Sequence, residues 1–598
     1  MKRSVKFNAL TLLLGAAWLM SACQLTSLSG GLGSGNAPAP TSATQAVEPP
    51  TPEIEATKAQ TESAPVTPEP TAIFQPISKS APDCEYGGQF AAIEAVDRLT
   101  VRFRLCQPEV AFLSKIAYPA FGILPAEFLE AAGGGGKGSR LLEAPVGTGP
   151  YRVARWDPGE ELVFSAFEGY WGEKARIGEL VFRWELDASQ RLLELQAGTV
   201  QAIDNPSSGD LDAIQSSPDL ALIERSPLSV AYLGMNNTYP PFDNQIVRQA
   251  INLALDRTAL LQAAFPPGFV LAEYFTPCAI PLGCLGEKWY GYDPVQARQL
   301  LDQADFPSGF QTQIAYRDVV RSYMPQPGLV AEQIRVQLRQ NLQINASLIA
   351  IDSPDFLQAV DEGRLPGLFL LGWGADYADV TNFLDTHFGA QATRLFGKPF
   401  PDIQSALELG GSIAAEAERK PYYETANNAI REHAPLAPLA HGGWLDAQAL
   451  SIAVNRSVQG ASASPFSLER FNEMSVNGQA RLVWMQSLEP LSLYCADETD
   501  SDSLRACAQV IEPLYRFARG GANLEPALAE SCTPNAELTE WTCKLRDGVQ
   551  FHDGSLLDAA DVVRSFSVQW DAADGLHKGR TGEFAYFKEL WGAFLNAR

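Results

Sequence analysis

Near the middle of the chain, a hydrophobic strand stops abruptly at an acidic residue. Residues 369–371 form a short apolar run of the kind that is buried in a sheet, and two glycines follow it closely. We expect the strand to be broken there, at a cleft between two sheets. Aromatic surface and fixed negative charge follow, which indicates half of a binding site. The candidate ligand contacts are Gly372, Trp373, Gly374, Asp376 and Tyr377.

The same segment also has a purely structural interpretation. A Trp-Gly-x-Asp turn can simply finish a strand, and Asp376 would then cap the helix that Asn382 and Phe383 enter. The local sequence does not choose between a ligand contact and a helix cap.

Length and charge narrow the class of protein. With 598 residues the chain is too long for one hydrophobic core, so we expect two or more lobes. The net charge of -25 argues against DNA or RNA as a partner, because no basic surface is available to displace counterions. An acidic surface suits a soluble protein outside the cytoplasm, but it specifies no ligand.

The N-terminus has the pattern of an export signal. Residues 1–6 are positively charged, residues 9–20 are apolar, and small residues precede Cys23. This pattern resembles a bacterial lipoprotein signal, in which Cys23 would be lipidated and become the mature N-terminus; a plain secretory signal is the alternative. Residues 24–78 contain few large apolar side chains, which predicts a flexible tether between the membrane and the globular body.

The remaining cysteines agree with export. Their even number falls into four neighbouring pairs, which indicates disulfides that each close a loop or hairpin. A zinc site is the alternative, but there is no Cys-x-x-Cys pair and the five histidines are scattered, so we expect no metal. The eight residues are Cys84, Cys106, Cys278, Cys284, Cys495, Cys507, Cys532 and Cys543.

A series of motifs resembles one family in order. Gly-Thr-Gly-Pro-Tyr at 147–151 is followed by Tyr170-Trp171, by an amphipathic helix over 242–257 with Asp243 as the expected N-cap, and by Tyr-Asp-Pro at 292–294. Together with the Gly-Trp-Gly-Ala-Asp segment, these motifs resemble the solute-binding proteins of peptide and nickel ABC importers, family 5. The helix has no expected ligand role.

The resemblance implies a fold and a site. The fold would be a two-lobed α/β fold like that of periplasmic binding proteins, with an extra subdomain in lobe I. The lobes would close through two crossings, near residues 230–236 and 438–454. In peptide-binding relatives the acid of the Gly-Trp-Gly segment faces the cleft and holds the ligand's ammonium group. In this sequence that role falls to Asp376.

The family's segments occur in an unusual order. Residues 481–598 resemble the beginning of the family, including its first helix at 511–517 and its Leu-Arg-x-Gly-Val segment near 545–549. The simplest explanation is a circular permutation, with a join near 476–481; a fusion of two truncated proteins is the alternative. Lobe I would then consist of residues 79–229 and 446–598, and lobe II of residues 230–445.

The expected function is that of an extracytoplasmic solute-binding lipoprotein of an ABC importer. Its partners would be a peptide or another small polar solute, the permease subunits and, through the lipid anchor, the membrane; the protein would be a monomer. A solute receptor that has lost transport is the alternative. His552, Asp547 and Asp553 lie in a turn motif, and no Gly-x-Ser-x-Gly or His-Glu-x-x-His motif occurs, so we expect neither catalysis nor a cofactor.

Overall fold

The computed structural model describes residues 76–365, 367–443 and 451–597. Cys23 and nearly all of the predicted tether lie outside these residues. The last tether positions do not, because Ser78 already belongs to a strand that pairs with Glu94 of the next strand. Within the described residues, no helix is both long enough and apolar enough to cross a membrane.

The strands alternate with helices along most of the chain. They are β1 Ser78–Ser80, β2 Phe90–Asp97, β3 Thr100–Leu105, β4 Tyr151–Asp157, β5 Glu161–Ala166, β6 Glu179–Trp184, β7 Ala202–Asp204, β8 Leu220–Glu224, β9 Ser229–Met235, β10 Val270–Leu271, β11 Gln311–Tyr316, β12 Asn345–Ala350, β13 Leu368–Gly374, β14 Leu436–Gly442, β15 Ser451–Asn455, β16 Val458–Gln459, β17 Ser475–Val476, β18 Arg481–Gln486, β19 Tyr515–Phe517, β20 Leu524–Pro526, β21 Ala529–Pro534 and β22 Glu540–Leu545.

The helices cover the sheets and connect their strands. They are α1 Phe112–Ile116, α2 Ala126–Ala132, α3 Arg140–Glu143, α4 Ala188–Ala197, α5 Leu211–Ser216, α6 Gln245–Ala254, α7 Arg257–Ala264, α8 Pro294–Gln303, α9 Pro327–Leu342, α10 Ser353–Asp361, α11 Thr381–Phe388, α12 Pro401–Gly411, α13 Glu416–His433, α14 Ser501–Cys507, α15 Ala559–Trp570 and α16 Ala585–Trp591.

Three larger sheets define the two lobes. Lobe I, as we use the name, contains a five-stranded sheet in the order β1-β2-β3-β22-β21 and a seven-stranded sheet in the order β4-β5-β6-β18-β7-β15-β8. Lobe II contains a six-stranded sheet in the order β10-β14-β9-β13-β11-β12. Strands from the last part of the chain lie inside both sheets of lobe I, since β18 pairs with β6 and β7, and β22 pairs with β3 and β21.

Strand β13 occupies the interior of the sheet of lobe II. It is antiparallel to β9 and parallel to β11, and its apolar residues from Leu368 to Leu371 are buried. The prediction that the glycines break this strand was wrong. Gly372 and Gly374 stay in register with Ala231 and Ser229 of β9, so the strand ends only after the second glycine.

Two local predictions need correction. The N-cap of α6 is Asn244, whose side chain accepts from the Ile246 N–H, and not Asp243. The helix expected over residues 511–517 does not form; α14 ends at Cys507, and residues 515–517 form β19. Pro513 provides the physical reason, because proline lacks the N–H that a helix needs and disfavours helical geometry in the preceding residue.

Among the described strands, two connections lead from one lobe to the other. Residues 230–235, where the first crossing was expected, belong to β9 inside lobe II, so the first crossing lies earlier, between Glu224 and Ser229. The second passes from Gly442 of β14 to Ser451 of β15, which falls within the predicted range. Residues 444–450 of that crossing lie outside the described residues.

All four predicted disulfides are present. Cys84–Cys106 closes the β2–β3 hairpin, and Cys532–Cys543 links the paired strands β21 and β22. Cys278–Cys284 closes a loop of lobe II, and Cys495–Cys507 ties α14 to the turn before it. Each bond therefore stays within one lobe, as the spacing of the cysteines predicted.

Candidate functional site

The end of β13 is shaped by close packing over one glycine. A Cβ atom on Gly372 would lie 2.2 Å from the Tyr323 ring and 2.4 Å from the Val230 carbonyl oxygen, so no side chain fits there. A Cβ atom on Gly374 would meet nothing within 4 Å. Gly372 is thus required for packing within lobe II, whereas the space beside Gly374 is open.

One buried amide organises the residues that follow. Asn382 Oδ1 accepts from Trp373 Nε1 at 3.1 Å and from the backbone N–H of Asp376 at 3.0 Å. Its Nδ2 donates to Asp376 Oδ2 at 2.9 Å. The indole and the carboxylate are therefore fixed relative to each other by the first turn of α11.

The helix-cap interpretation of Asp376 is wrong. Helix α11 has Val380 at its N-cap position and no side-chain cap bond. The Asp379 carboxylate instead accepts from the backbone N–H and the hydroxyl of Thr381, at 3.0 and 2.8 Å. Asp376 has no capping role, which leaves its second carboxylate oxygen for other partners.

Asp379 serves the structure of lobe II. Arg419 of α13 donates to both of its oxygens, at 2.7 and 2.8 Å, and also to the Tyr423 hydroxyl. Burial alone would raise the pKa of Asp379, but the Arg419 guanidinium outweighs it and lowers the pKa. Asp379 is therefore ionised and already paired within its own lobe.

Lobe I contributes a lysine to the site. Lys115 of α1 is buried; its Nζ donates to the Leu590 carbonyl at 3.2 Å and pairs with Glu109. The same Nζ lies 5.0 Å from the centre of the Tyr377 ring, a distance typical of a cation–π contact. Tyr377 thus meets lobe I directly.

A second carboxyl group reaches the site from lobe I. Glu589 of α16 lies beside the Asp376 carboxyl group, across the contact between the lobes. Glu589 keeps much of its surface exposed, so it lies at the rim of this contact. Burial, and then the Glu589 carboxyl beside it, raise the pKa of Asp376 to about 7.

Helix α16 is held in place by an unusual loop anchor. The Asp497 carboxylate accepts from four consecutive backbone N–H groups, those of residues 581–584, at 2.6 to 3.1 Å. This loop leads directly into α16. Asp497 therefore fixes the start of the helix that carries Glu589.

Four of the five residues that were predicted to bind the ligand lie at the interface between the lobes or next to it. Asp376 and Tyr377 meet lobe I, Trp373 is fixed beside Asp376 through Asn382, and Gly374 has open space next to it. Gly372, in contrast, is covered by Tyr323. Lys115 and Glu589 were missed. The sequence does contain a signal for Lys115, because a lysine inside the apolar run at 112–124 is unusual. It contains none for Glu589, because its partner Asp376 lies more than two hundred residues away.

Comparisons with known proteins agree on one family. The family model of the bacterial extracellular solute-binding proteins, family 5, matches residues 50–394 and 523–582. Heme-binding protein A of Haemophilus influenzae is 30% identical over 393 residues, which covers 65% of this chain and 70% of that protein. The dipeptide-binding protein of Escherichia coli is 27% identical over 391 residues, covering 64% of this chain and 71% of that protein.

A solved structure supports the same assignment. HbpA2 from Haemophilus parasuis is 28% identical and superposes with a TM-score of 0.60 over 65% of this chain and 76% of that chain. The likeness therefore extends to three dimensions over most of the relative.

Proposed function

Because the chain belongs to the bacterial extracellular solute-binding proteins of family 5, we propose that it binds a peptide or a similar polar solute between its lobes and delivers it to an ABC permease. The observation that carries this proposal is the position of Asp376. It follows the interior strand of lobe II, is oriented by Asn382, and contacts lobe I.

An ammonium group is the ligand chemistry that Asp376 fits best. A carboxylate and an ammonium that meet as water is excluded form a charge-assisted hydrogen bond, roughly twice as strong as a neutral one. Asp379 is less suitable, since Arg419 already neutralises it. The names of the relatives include dipeptide-binding and heme-binding proteins. The free N-terminus of a short peptide supplies the ammonium group.

Replacing Asp376 by asparagine tests this function. The change keeps the size of the side chain and its contact with Asn382 but removes the charge, and hydrogen bonds to charged groups are worth about 1.5–3 kcal/mol. We expect the affinity for L-alanyl-L-alanine to fall about 10- to 100-fold, measured by calorimetry. The affinity for the N-acetylated dipeptide should not change.

The exposed Glu418 of α13 provides a matched control. Its replacement by glutamine removes the same charge from lobe II without touching the site, so both affinities should stay at the parental value. An equal loss for the free and the acetylated peptide in the Asp376 variant, or no loss at all, would contradict the assignment.

Anchoring in the membrane is the second part of the proposal. We propose that Cys23 is lipidated and that residues 24–75 tether the body outside the cytoplasmic membrane. A Cys23→Ser variant should then lose its lipid mass and move from the membrane fraction to the soluble fraction, because the acyl chains provide the attachment. Recovery of the parental protein in the soluble fraction, without lipid, would refute the anchor.

A circular permutation is the third part. We propose that residues 78–224 and 451–597 together build lobe I, that residues 229–443 build lobe II, and that the order of the chain differs from that of its relatives. Two observations support this. Strand β18 lies between β6 and β7. Lys79 and Asn596, near the two ends of the described body, both bind the carboxylate of Asp571.

A further inference from the structure

The contact between Asp376 and Glu589 joins two acids from opposite lobes. Asp376 follows β13 in lobe II, and Glu589 lies on α16 in lobe I. Two carboxyl groups hydrogen-bond only if one of them carries a proton, since ionised carboxylates have no donor. With both ionised, the two like charges would instead repel each other across the contact between the lobes.

The neighbouring groups do not neutralise this pair. Asn382 is uncharged, and the nearby cation, Lys115, already pairs with Glu109. The Tyr118 and Tyr586 hydroxyls bond to each other and face both carboxyls as neutral groups, since burial raises the pKa of each. The titratable and charged groups that face the pair or its neighbours are Lys115, Glu109, Tyr118, Tyr586, Asp385 and Asp500.

The histidine that packs against Trp373 does not change its charge together with the Asp376–Glu589 pair. His387 packs edge-on against Trp373 with ring centres 5.4 Å apart. It is fully enclosed, with Nδ1 donating to the Phe383 carbonyl at 2.7 Å and Nε2 accepting from the Tyr232 hydroxyl at 3.2 Å. Burial lowers the pKa of His387 to about 4, so it stays neutral over the range in which the pair titrates.

We propose that closure of the ligand-free protein is linked to a proton held between Asp376 and Glu589, and that a ligand's ammonium group replaces this proton. The second half rests on the proposed function, because it needs Asp376 to bind an ammonium group. Glu589 then becomes a second carboxylate around the ligand, supplied by the opposite lobe. The ligand class is a primary ammonium, whose several N–H donors can serve both carboxylates at once.

The direction of the pH effect follows from the proton balance. The closed form holds a proton that the open form, with an ordinary aspartate, releases above about pH 4. The ratio of open to closed protein should therefore rise with pH, by up to about tenfold per pH unit between pH 5 and pH 7, and then level off.

Hydrogen exchange tests this without a ligand. The full chain with Cys23→Ser is followed by mass spectrometry in segments 374–380 and 585–592, between about pH 5 and pH 8. Glu589→Gln donates an amide hydrogen to Asp376 without needing a proton, so its closure should not depend on pH. We expect exchange in the parent, divided by exchange in Glu589→Gln at each pH, to rise towards pH 7. Asp376→Asn should match Glu589→Gln.

The exposed Glu583, six residues before Glu589, provides the matched control. Glu583→Gln should follow the parent at every pH. A ratio of parent to Glu589→Gln that stays constant with pH overturns the proton link, whether or not the protein binds peptides.

Calorimetry tests the replacement of the proton. Binding of L-alanyl-L-alanine near pH 6, measured in buffers of different ionisation enthalpy, should release about one proton from the parent and none from Glu589→Gln. Equal release from both overturns the role of Glu589. If the dipeptide does not bind at all, the proposed function and the ammonium half of this proposal fail together, while the exchange data still decide the proton link.

Discussion

Replacing Arg505 by methionine is expected to lower the free energy of unfolding by about 3–5 kcal/mol, because it removes one of the two guanidinium groups that neutralise a cluster of buried carboxylates. Arg505 is fully buried in lobe I. Its guanidinium binds Asp204 at 2.5 Å, Glu469 at 2.8 Å and Asp502 at 2.9 Å. The loss of stability should appear as a lower urea concentration at the midpoint of unfolding.

A second arginine shares the same acids. Arg225 binds Asp204 and Glu469, each at 2.7 Å, and neither carboxylate is exposed. Without Arg505, one guanidinium would have to neutralise both acids. Asp204 and Arg225 come from the part of lobe I that precedes lobe II in the chain, and Glu469 and Arg505 come from the part that follows it. Loss of the network therefore weakens the packing between these two parts of lobe I.

Low pH should increase the loss of stability in the Arg505 variant. Burial alone would raise the pKa of Asp204, but Arg225 and Arg505 outweigh it and lower the pKa. Stability from the ionised Asp204 is thus present above its unfolded pKa of about 4 and is lost as the pH falls through the lower folded value. With Arg505 removed, the folded pKa rises, and acid unfolding should begin at a higher pH.

Arg481→Met is the matched control. Arg481 also lies in the late part of lobe I, but its side chain is 45% exposed in its ion pair with Glu179. Exposed pairs contribute about 0–1 kcal/mol, so this variant should stay close to the parent. Equal stability of the Arg505 and Arg481 variants would mean that the buried network contributes nothing specific.

The arginine network illustrates what the sequence could not predict. Its members lie in different local patterns, and Asp204 and Arg505 are 301 positions apart. No periodicity joins them, since the contact exists only after β18 has entered the sheet beside β7. The same reason hid Glu589, whose carboxyl partner belongs to the other lobe.

Local patterns and family motifs predict other parts of the fold correctly. Helix α6 lies within the range 242–257 where apolar spacing and motif order predicted a helix, because these signals act over a few residues. The two-lobed α/β fold is confirmed by the likeness to HbpA2. The helix that the resemblance implied over 511–517 does not form, because Pro513 disfavours helical geometry there.

Moving residues 479–597 to the front of the body, which is the order that the proposed permutation assigns to the relatives, is expected to leave the protein folded, whereas removing these residues should abolish folding. In the reordered chain, residues 1–75 lead into residues 479–597, a Gly/Ser linker of about six residues follows, and residues 78–478 complete the protein. The new break falls in the exposed turn at 477–480, where opening the chain disturbs little packing. The linker spans ends that both reach Asp571.

A chain that stops at Gly478 is the contrasting construction. It lacks β18, which fills the sheet of lobe I between β6 and β7 and buries Trp484 completely. It also lacks β21 and β22, so only β1, β2 and β3 of the five-stranded sheet remain. Such a chain should show no cooperative unfolding in urea, while the reordered chain should unfold within about 2 kcal/mol of the parent and bind L-alanyl-L-alanine with the parent's affinity. Two fused fragments of separate binding proteins would give the opposite pattern: residues 1–478 would fold alone, and the reordered chain would gain nothing from the linker.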